Sequence, residues 1–453
     1  MQKVERLLTD AKTKYIILIL AFILFCITYL ASKNTLAYYI TLGIKDIILG
    51  VLISLYLITV KNNKYVLFPL LLYAFSSYSE WATYMQDKTL LISVSIIIGL
   101  CLVSGIIHQI RFKHKIKFQK FGISLLAYAI AFGIGGLFSK EMNGIFYQEW
   151  WMTLLAFIGS IFAWFIVIYF ASSTEAKFSD LANYMVLLSI LLMLEFVFYA
   201  LLNITTIFQY KADTMMYLRW GDKNTFGVVL LLAMPFCLYY VYKNIHRVVY
   251  LILYFVQFIT LLLVSCKGGA LSCALGTAIA FIILLISNEN KVKNIKYFGI
   301  TLIIVLLFTT LSFLINPEMR NLGTLSSRGR IYKEAFEIFK SAPIFGCGYF
   351  GMLKWNVDSV FGIQFVHNTF LQILANSGIV GLILMLYHLA VKYIRVLYRP
   401  NLEKIIMLFS FLFPEIYGMI NPTYPLPTFL IPFAISIIFF ENEIKNDNIK
   451  YLF

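Results

Sequence analysis

One histidine in this 453-residue chain stands apart from the other four. His108, His114, His246 and His388 fall at or inside the basic ends of apolar segments, whereas His367 opens one, in the run Phe365-Val366-His367-Asn368-Thr369-Phe370. A histidine at a helix start is more often a polar cap than a catalyst. Its place directly after the longest hydrophilic insertion adds a second reading, a general base. The positive end of a helix disfavours imidazolium and helps keep the ring neutral, while a bound anion would push the other way.

Cations supply the complementary chemistry. Arg328 and Arg330 fall in the first turn of an expected helix, about Arg328 to Ser341, which Ser326-Ser327 can cap and Pro343 ends. Cations at that end of a helix are locally unfavourable. They make sense if an anion docks there against the free backbone N–H groups. Arg219, Asp222, Lys223 and Asn224 precede another apolar segment, and Lys267 sits in the tight turn Cys266-Lys267-Gly268-Gly269. For Lys267, snorkelling of the side chain to the membrane surface is an equally good explanation. No Asp-x-Asp or His/carboxylate cluster has metal-ligand spacing outside the apolar segments, so arginines would carry the charge that a divalent ion carries elsewhere.

The elements that must position these groups are membrane helices. Hydrophobic residues make up 61% of the chain and charged ones 13%, which excludes a soluble globular enzyme, a disordered chain and a disulfide scaffold. Apolar blocks recur at a length that crosses a hydrocarbon core of roughly 30 Å as a helix. Fourteen candidate spans cover about 15–31, 37–60, 65–82, 89–110, 121–138, 150–171, 181–203, 225–242, 248–265, 268–287, 297–315, 367–390, 404–421 and 424–440. The fold class is an all-α polytopic membrane protein of about 14 transmembrane helices (range 12–14), with one long extracytoplasmic loop containing an amphipathic interfacial helix. The six cysteines read as small core residues. The basic N-terminus running into the first span reads as a start-transfer anchor.

The net charge of +15 reflects positive-inside bias and anionic headgroups rather than nucleic acid. With the N-terminus placed in the cytoplasm, 23 of the 37 Lys and Arg lie on the cytoplasmic side and 13 outside, with Lys45 inside a span. Both termini are then cytoplasmic. Nine of the outer cations sit in only two loops, 204–224 and 316–366, against the rule. An outward cationic patch suits an anionic ligand delivered from the bilayer, and headgroup contact alone is the simpler alternative. The chain thus divides into an N-terminal transmembrane bundle of about 11 helices (1–315), a large extracytoplasmic loop (316–366), and C-terminal transmembrane helices with a cytoplasmic tail (367–453).

Within the loop, Ile331, Tyr332, Ala335, Phe336, Ile338 and Phe339 share one broad face, which predicts a helix lying along the outer membrane surface. The glycines of Pro343-Ile344-Phe345-Gly346-Cys347-Gly348 permit close backbone approach. Glu195 and Glu415 lie within apolar spans and are either functional or partnered by Arg or Tyr of a neighbouring helix.

Two of these stretches resemble a known family. Ser327-Arg328, Tyr332, Ala335, Phe339, Pro343, Gly346 and Gly348 form one motif; His367-Asn368, Leu371-Gln372 and Ser377-Gly378-Ile379-Val380-Gly381 form the other. Together they resemble the O-antigen polymerase and ligase family of bacterial surface polysaccharide assembly. Arg219 and Asn224 are similar to a weaker upstream element. Cys266-Lys267-Gly268 is similar to the family's Ser-Arg-Gly turn, with Lys replacing Arg and losing bidentate phosphate geometry.

The resemblance implies a metal-independent, cofactor-free, inverting glycosyltransferase of the bacterial cytoplasmic (inner) membrane with an extracytoplasmic active site. It implies a polyprenyl-diphosphate-linked oligosaccharide donor, usually on undecaprenyl diphosphate, an acceptor glycan, membrane lipid and a candidate chain-length regulator as partners, and no nucleic acid. Catalytic roles then fall to His367 and Arg328, and substrate binding to Arg219, Arg330, Lys267, Asn224, Asn368 and Tyr332. A polymerase building capsular polysaccharide, exopolysaccharide or O-antigen is the leading reading, and a ligase moving finished glycan to another acceptor is its close rival. A lipid-linked oligosaccharide flippase is the alternative from another class. It should show repeated halves and mid-membrane charges, whereas no internal repeat is evident and the candidate groups cluster at one face.

Overall fold

In the computed structural model, residues 6–8, 10–31, 35–61, 88–114, 120–136, 150–172, 178–202, 223–264, 266–286, 291–315, 324–348, 366–398 and 400–420 are described. Every regular element among them is an α-helix. In chain order these are α1 (Ala11–Ala31), α2 (Thr35–Thr59), α3 (Lys88–Phe112), α4 (Lys120–Gly133), α5 (Trp150–Ser172), α6 (Phe178–Leu202), α7 (Lys223–Ala233), α8 (Pro235–Lys243), α9 (Arg247–Leu263), α10 (Lys267–Ile286), α11 (Lys291–Ile315), α12 (Thr324–Ser341), α13 (Thr369–Leu397) and α14 (Leu402–Gly418). Five segments are long and apolar enough to cross a membrane: Lys12–Ala31, Leu36–Thr59, Phe178–Leu202, Phe226–Lys243 and Thr369–Leu397. The expected spans at 65–82 and 424–440, and most of the loops holding Arg219 and Lys354, lie outside the described residues.

The chain forms two compact units. The first comprises Met1–Ile116, Phe170–Cys266 and Thr428–Phe453; the second comprises Lys117–Tyr169 and Lys267–Pro427. In the first unit, α2 packs between α1 and α3, and α6 against α7, α8 and α9. The expected span 225–242 is present as Phe226–Lys243, with its hydrogen-bond ladder interrupted at Met234 because Pro235 has no N–H to continue it. Both pieces stay buried. A buried Gln257 amide donates to Ser189 Oγ at 2.7 Å, and Lys45 pairs with its neighbour Asp46 at 3.1 Å, so the Gln257 N–H and the Lys45 charge find partners within the unit.

The second unit holds most of the candidate chemistry. Its helices pack in the pairs α4–α13, α10–α14, α10–α11, α12–α13 and α13–α14. The span expected over 367–390 is not a single helix. Gly378 adopts φ 62° and ψ −161°, a conformation open to glycine alone, and divides α13 into 369–377 and 379–397. The turn-like segment after α12 enters this break. Cys347 N–H donates to Ala375 O and Gly348 N–H to Asn376 O, each at 2.9 Å. In return Ile379 N–H donates to Pro343 O at 2.9 Å and Val380 N–H to Ile344 O at 3.2 Å. The end of α4 joins them through Gly136 N–H to Phe345 O at 3.0 Å. Backbone groups freed by the break therefore find partners inside the protein, which membrane-embedded backbone requires.

The break also bends α13 sharply. Asn368 Nδ2 donates to Met419 O at 3.0 Å, while Lys392 pairs with Glu415. Residues 368 and 392 would lie about 36 Å apart on a straight helix, whereas 415 and 419 are about 6 Å apart. Only a folded α13 brings both of its ends to the same turn of α14.

A Cβ on Gly378 would lie 2.4 Å from the Ile344 carbonyl carbon, with the left-handed φ as an added cost. Gly378→Ala should therefore abolish or severely depress the melting transition of the purified protein, a loss of about 3 kcal/mol or more. Gly99→Ala on α3, which meets nothing within 4 Å, should leave the transition unchanged or raise it. Equal melting of the two variants would show that the break is not required.

Candidate active site

The site is built at the start of α13. His367 is not the helix cap. Asn368 is, with its Oδ1 accepting from Leu371 N–H at 3.0 Å. The capping explanation for His367 thus falls away. His367 itself has φ 52°, a left-handed backbone that non-glycine residues rarely adopt. Such strain persists only where the surroundings impose it, and it concentrates at functional sites.

Three contacts impose it. Gln372, one turn into α13 and 1% exposed, accepts from Val366 N–H through Oε1 at 2.8 Å. Tyr332 of α12 donates its hydroxyl to His367 O at 3.1 Å. Asn368 reaches across to Met419 O beyond α14. Gln372 is itself oriented by its Nε2 donating to Asn376 Oδ1 at 3.2 Å.

Helix α12 is docked rather than free. Ile331, Ala335 and Ile338 are buried with Val366, Cys347 and Ala375, so protein rather than lipid covers the inner part of the face expected to lie on the membrane. Phe336 remains 45% exposed on the outer part. Burial pushes the Cys347 thiol up to about 12, which makes it a neutral packing group. The helix starts at Thr324 rather than near Arg328, since Thr324 is as good a start residue as Ser326 and nothing in Leu325-Ser326-Ser327 breaks a helix. Arg328 consequently lies in the second turn, away from the free N–H groups expected beside it.

Arg328 is half-buried and lies one turn before Tyr332, about 6 Å along the axis, on the strip of α12 that leads to His367. Arg330 lies about 200° further round the helix. It is 62% exposed and pairs with Glu334 at 2.9 Å. Its guanidinium thus holds a carboxylate on another face of α12 than that of Arg328. Tyr332, expected to contact substrate, has its hydroxyl engaged by the His367 carbonyl.

Lys267 begins α10. The next residue, Gly268, abuts the Tyr417 ring so closely that a Cβ there would lie 2.7 Å from Cε2. Tyr417 lies two residues before Met419, the partner of Asn368. Tyr332, His367 and Asn368 are thus linked at the start of α13, with Arg328 one turn before Tyr332 on α12 and Lys267 next to the Gly268 that abuts Tyr417. Arg219 lies outside the described residues, and of Asn224 only its place in α7 is described.

Glu415 finds partners in Lys392 and in the Tyr393 hydroxyl. That satisfies one of the two glutamates noted within apolar spans without substrate. The sequence did not single out Gln372 as a contact to the residue before the histidine, nor the break at Gly378. The Asn376-Ser377-Gly378 triplet of turn-forming residues inside an apolar run was the available signal.

Residues 227–386 match the family model described as O-antigen ligase. This segment is an O-antigen ligase domain. It runs from α7 into the second half of α13 and takes in Lys267, Arg328, Tyr332, His367, Asn368 and Gln372. Members of this family transfer glycosyl groups from lipid-linked glycans, and the matched segment, 160 of the 453 residues, is what this chain shares with them. Helix α14, which supplies Met419 and Tyr417 to the neighbourhood of the site, lies outside the matched segment. No curated protein and no solved structure matches the chain.

The strain at His367 yields a stability test. His367→Gly should unfold at higher temperature or denaturant than His367→Ala, by about 1 kcal/mol, because glycine adopts the left-handed backbone without penalty. Equal or reversed stabilities would show that this backbone is not imposed.

Proposed function

We propose that the protein is a polymerase. It extends polyprenyl-diphosphate-linked oligosaccharide repeat units into a surface polysaccharide on the outer face of a bacterial cytoplasmic membrane. The observation that carries this reading is the strained, non-capping His367. It is tied through Tyr332 to the helix that bears Arg328, and all three lie within the O-antigen ligase domain.

In this reaction an acceptor-glycan hydroxyl attacks the anomeric carbon of the donor. The new glycosidic C–O bond forms as the bond to the diphosphate oxygen breaks, and the hydroxyl proton passes to His367. A single displacement inverts the anomeric centre and needs no enzyme nucleophile. Diphosphate is already a good leaving group, so catalysis rests on a base and on charge stabilisation. Arg328 offers a planar guanidinium able to hold two phosphate oxygens, and Lys267 adds a point charge. Arg219, from the loop before α7, is the proposed second guanidinium. Arg330 has only a peripheral part.

The ligase activity for which the matching family is named favours a second reading, in which finished glycan moves to a foreign acceptor. One experiment separates the two. Purified protein is incubated with a synthetic polyprenyl-diphosphate oligosaccharide, with and without a foreign acceptor. A glycan ladder from donor alone is the expected result. Transfer only to the foreign acceptor makes the enzyme a ligase, and movement across vesicles without new bonds makes it a transporter. In the same assay His367→Ala should lower turnover roughly 10²–10⁴-fold while donor binding persists. Arg328→Ala should weaken donor binding more than Arg328→Lys does. Full output from His367→Ala would remove it as the base.

A further inference from the structure

The buried side chains of α13 raise a question that the proposed chemistry leaves open. Thr369, Gln372, Asn376 and Ser377 are each 1–3% exposed and follow helical spacing, so a polar strip runs along the first half of α13. A polar strip is costly to bury unless its groups are paired. Gln372 is paired at both ends of its amide: Oε1 accepts from Val366 N–H and Nε2 donates to Asn376 Oδ1.

The bond to Val366 matters because of where it falls. It fixes the residue before His367, while Tyr332 fixes the carbonyl of His367 itself and Asn368 fixes the next residue through the helix cap and Met419. The chain is held on both sides of a single residue, and that residue carries the left-handed φ. Tyr332 and Asn368 are each expected to contact substrate, and Gln372 shares the motif of Asn368 without that expectation. Gln372 has no such task open to it, since it is buried and its amide is engaged.

We infer that Gln372 is a positioning residue that holds the peptide leading into His367, and that with Tyr332 it sets the direction of the imidazole. This inference rests on the proposed role of His367 as base. A general base must lie within hydrogen-bond reach of the proton it takes, and a displacement of about 1 Å can lower the rate on the order of 10²-fold. Gln372 does its work without touching donor or acceptor, so its loss acts on turnover rather than on binding.

The test compares Gln372→Met, which keeps the volume and removes the acceptor, with Gln372→Glu, which keeps an oxygen at the same place. Both are made in the full-length protein, alone and combined with His367→Ala. The probe is the synthetic polyprenyl-diphosphate oligosaccharide, assayed at steady state with donor varied in excess over enzyme. Gln372→Met is expected to lower kcat about 10- to 100-fold with donor KM changed less than about twofold. Gln372→Glu should recover part of that loss although both variants melt below the parent, since each leaves a buried group without its partner. In the His367→Ala background Gln372→Met should add no further loss, because residues that act as one unit are not additive.

Three results would overturn the inference: a rise in KM with kcat unchanged, equal loss of kcat from Met and Glu, or an undiminished second loss in the His367→Ala background. Where His367→Ala lies below detection, the Met-against-Glu comparison and the kcat-against-KM split decide alone. If His367→Ala is fully active, the base assignment itself has failed, and that outcome is distinct from all three.

Discussion

Four backbone hydrogen bonds hold the second unit in its functional form. They join residues 343–348, which follow α12, to residues 375–380, where α13 breaks. Without them, two carbonyls and two N–H groups at the break would be buried without partners, at about 1–3 kcal/mol each and more in lipid. The partner segment has to bring backbone to backbone. That explains the glycines: a Cβ at Gly346 would lie 2.3 Å from the Asn376 carbonyl carbon, and one at Gly378 would lie 2.4 Å from that of Ile344. The docking fixes α12 relative to α13, and the break lets the first half of α13 turn back toward the end of α14.

The reactive neighbourhood follows from that bend. A straight α13 would separate His367 from the turn of α14 that also receives Lys392. With the bend, the histidine is flanked by Tyr332 and Asn368 and supported by the buried polar strip behind it. The Lys392–Glu415 pair closes the far side of the same angle. An intramembrane ion pair of this kind holds helices in register as well as satisfying its own charges. The placing of the proposed base thus depends on a broken helix and on the loop segment that fills the break.

Much of the helical framework was legible in the sequence, because apolar blocks of membrane length announce themselves. The expected spans over 15–31, 37–60 and 181–203 coincide with α1, α2 and α6 to within a few residues. The end of α12 before Pro343 was legible too, since proline cannot continue a ladder. The break in α13 was not, because the apolar spacing continues through Gly378 and the cause lies some thirty residues earlier in the chain. Local pattern carries no record of which segment will fill a gap. The same limit applies to Tyr332, whose face on α12 was readable but whose hydroxyl partner was not, and to Arg330, where the Glu334 four residues on was a sign that it would be paired. Glu415 was flagged by its cost in the membrane, and only the packing of α13 against α14 reveals Lys392 and Tyr393 as its partners.

The central claim is spatial: Arg328 and His367 act on one donor molecule. A structure of the protein bound to a non-reactive polyprenyl-diphosphate sugar analogue tests it most directly. The account predicts diphosphate oxygens within about 3 Å of the Arg328 guanidinium and the anomeric carbon about 6 Å from the His367 ring, which leaves room for one acceptor hydroxyl between them. A diphosphate held by other cations, with the sugar turned away from His367, would contradict it.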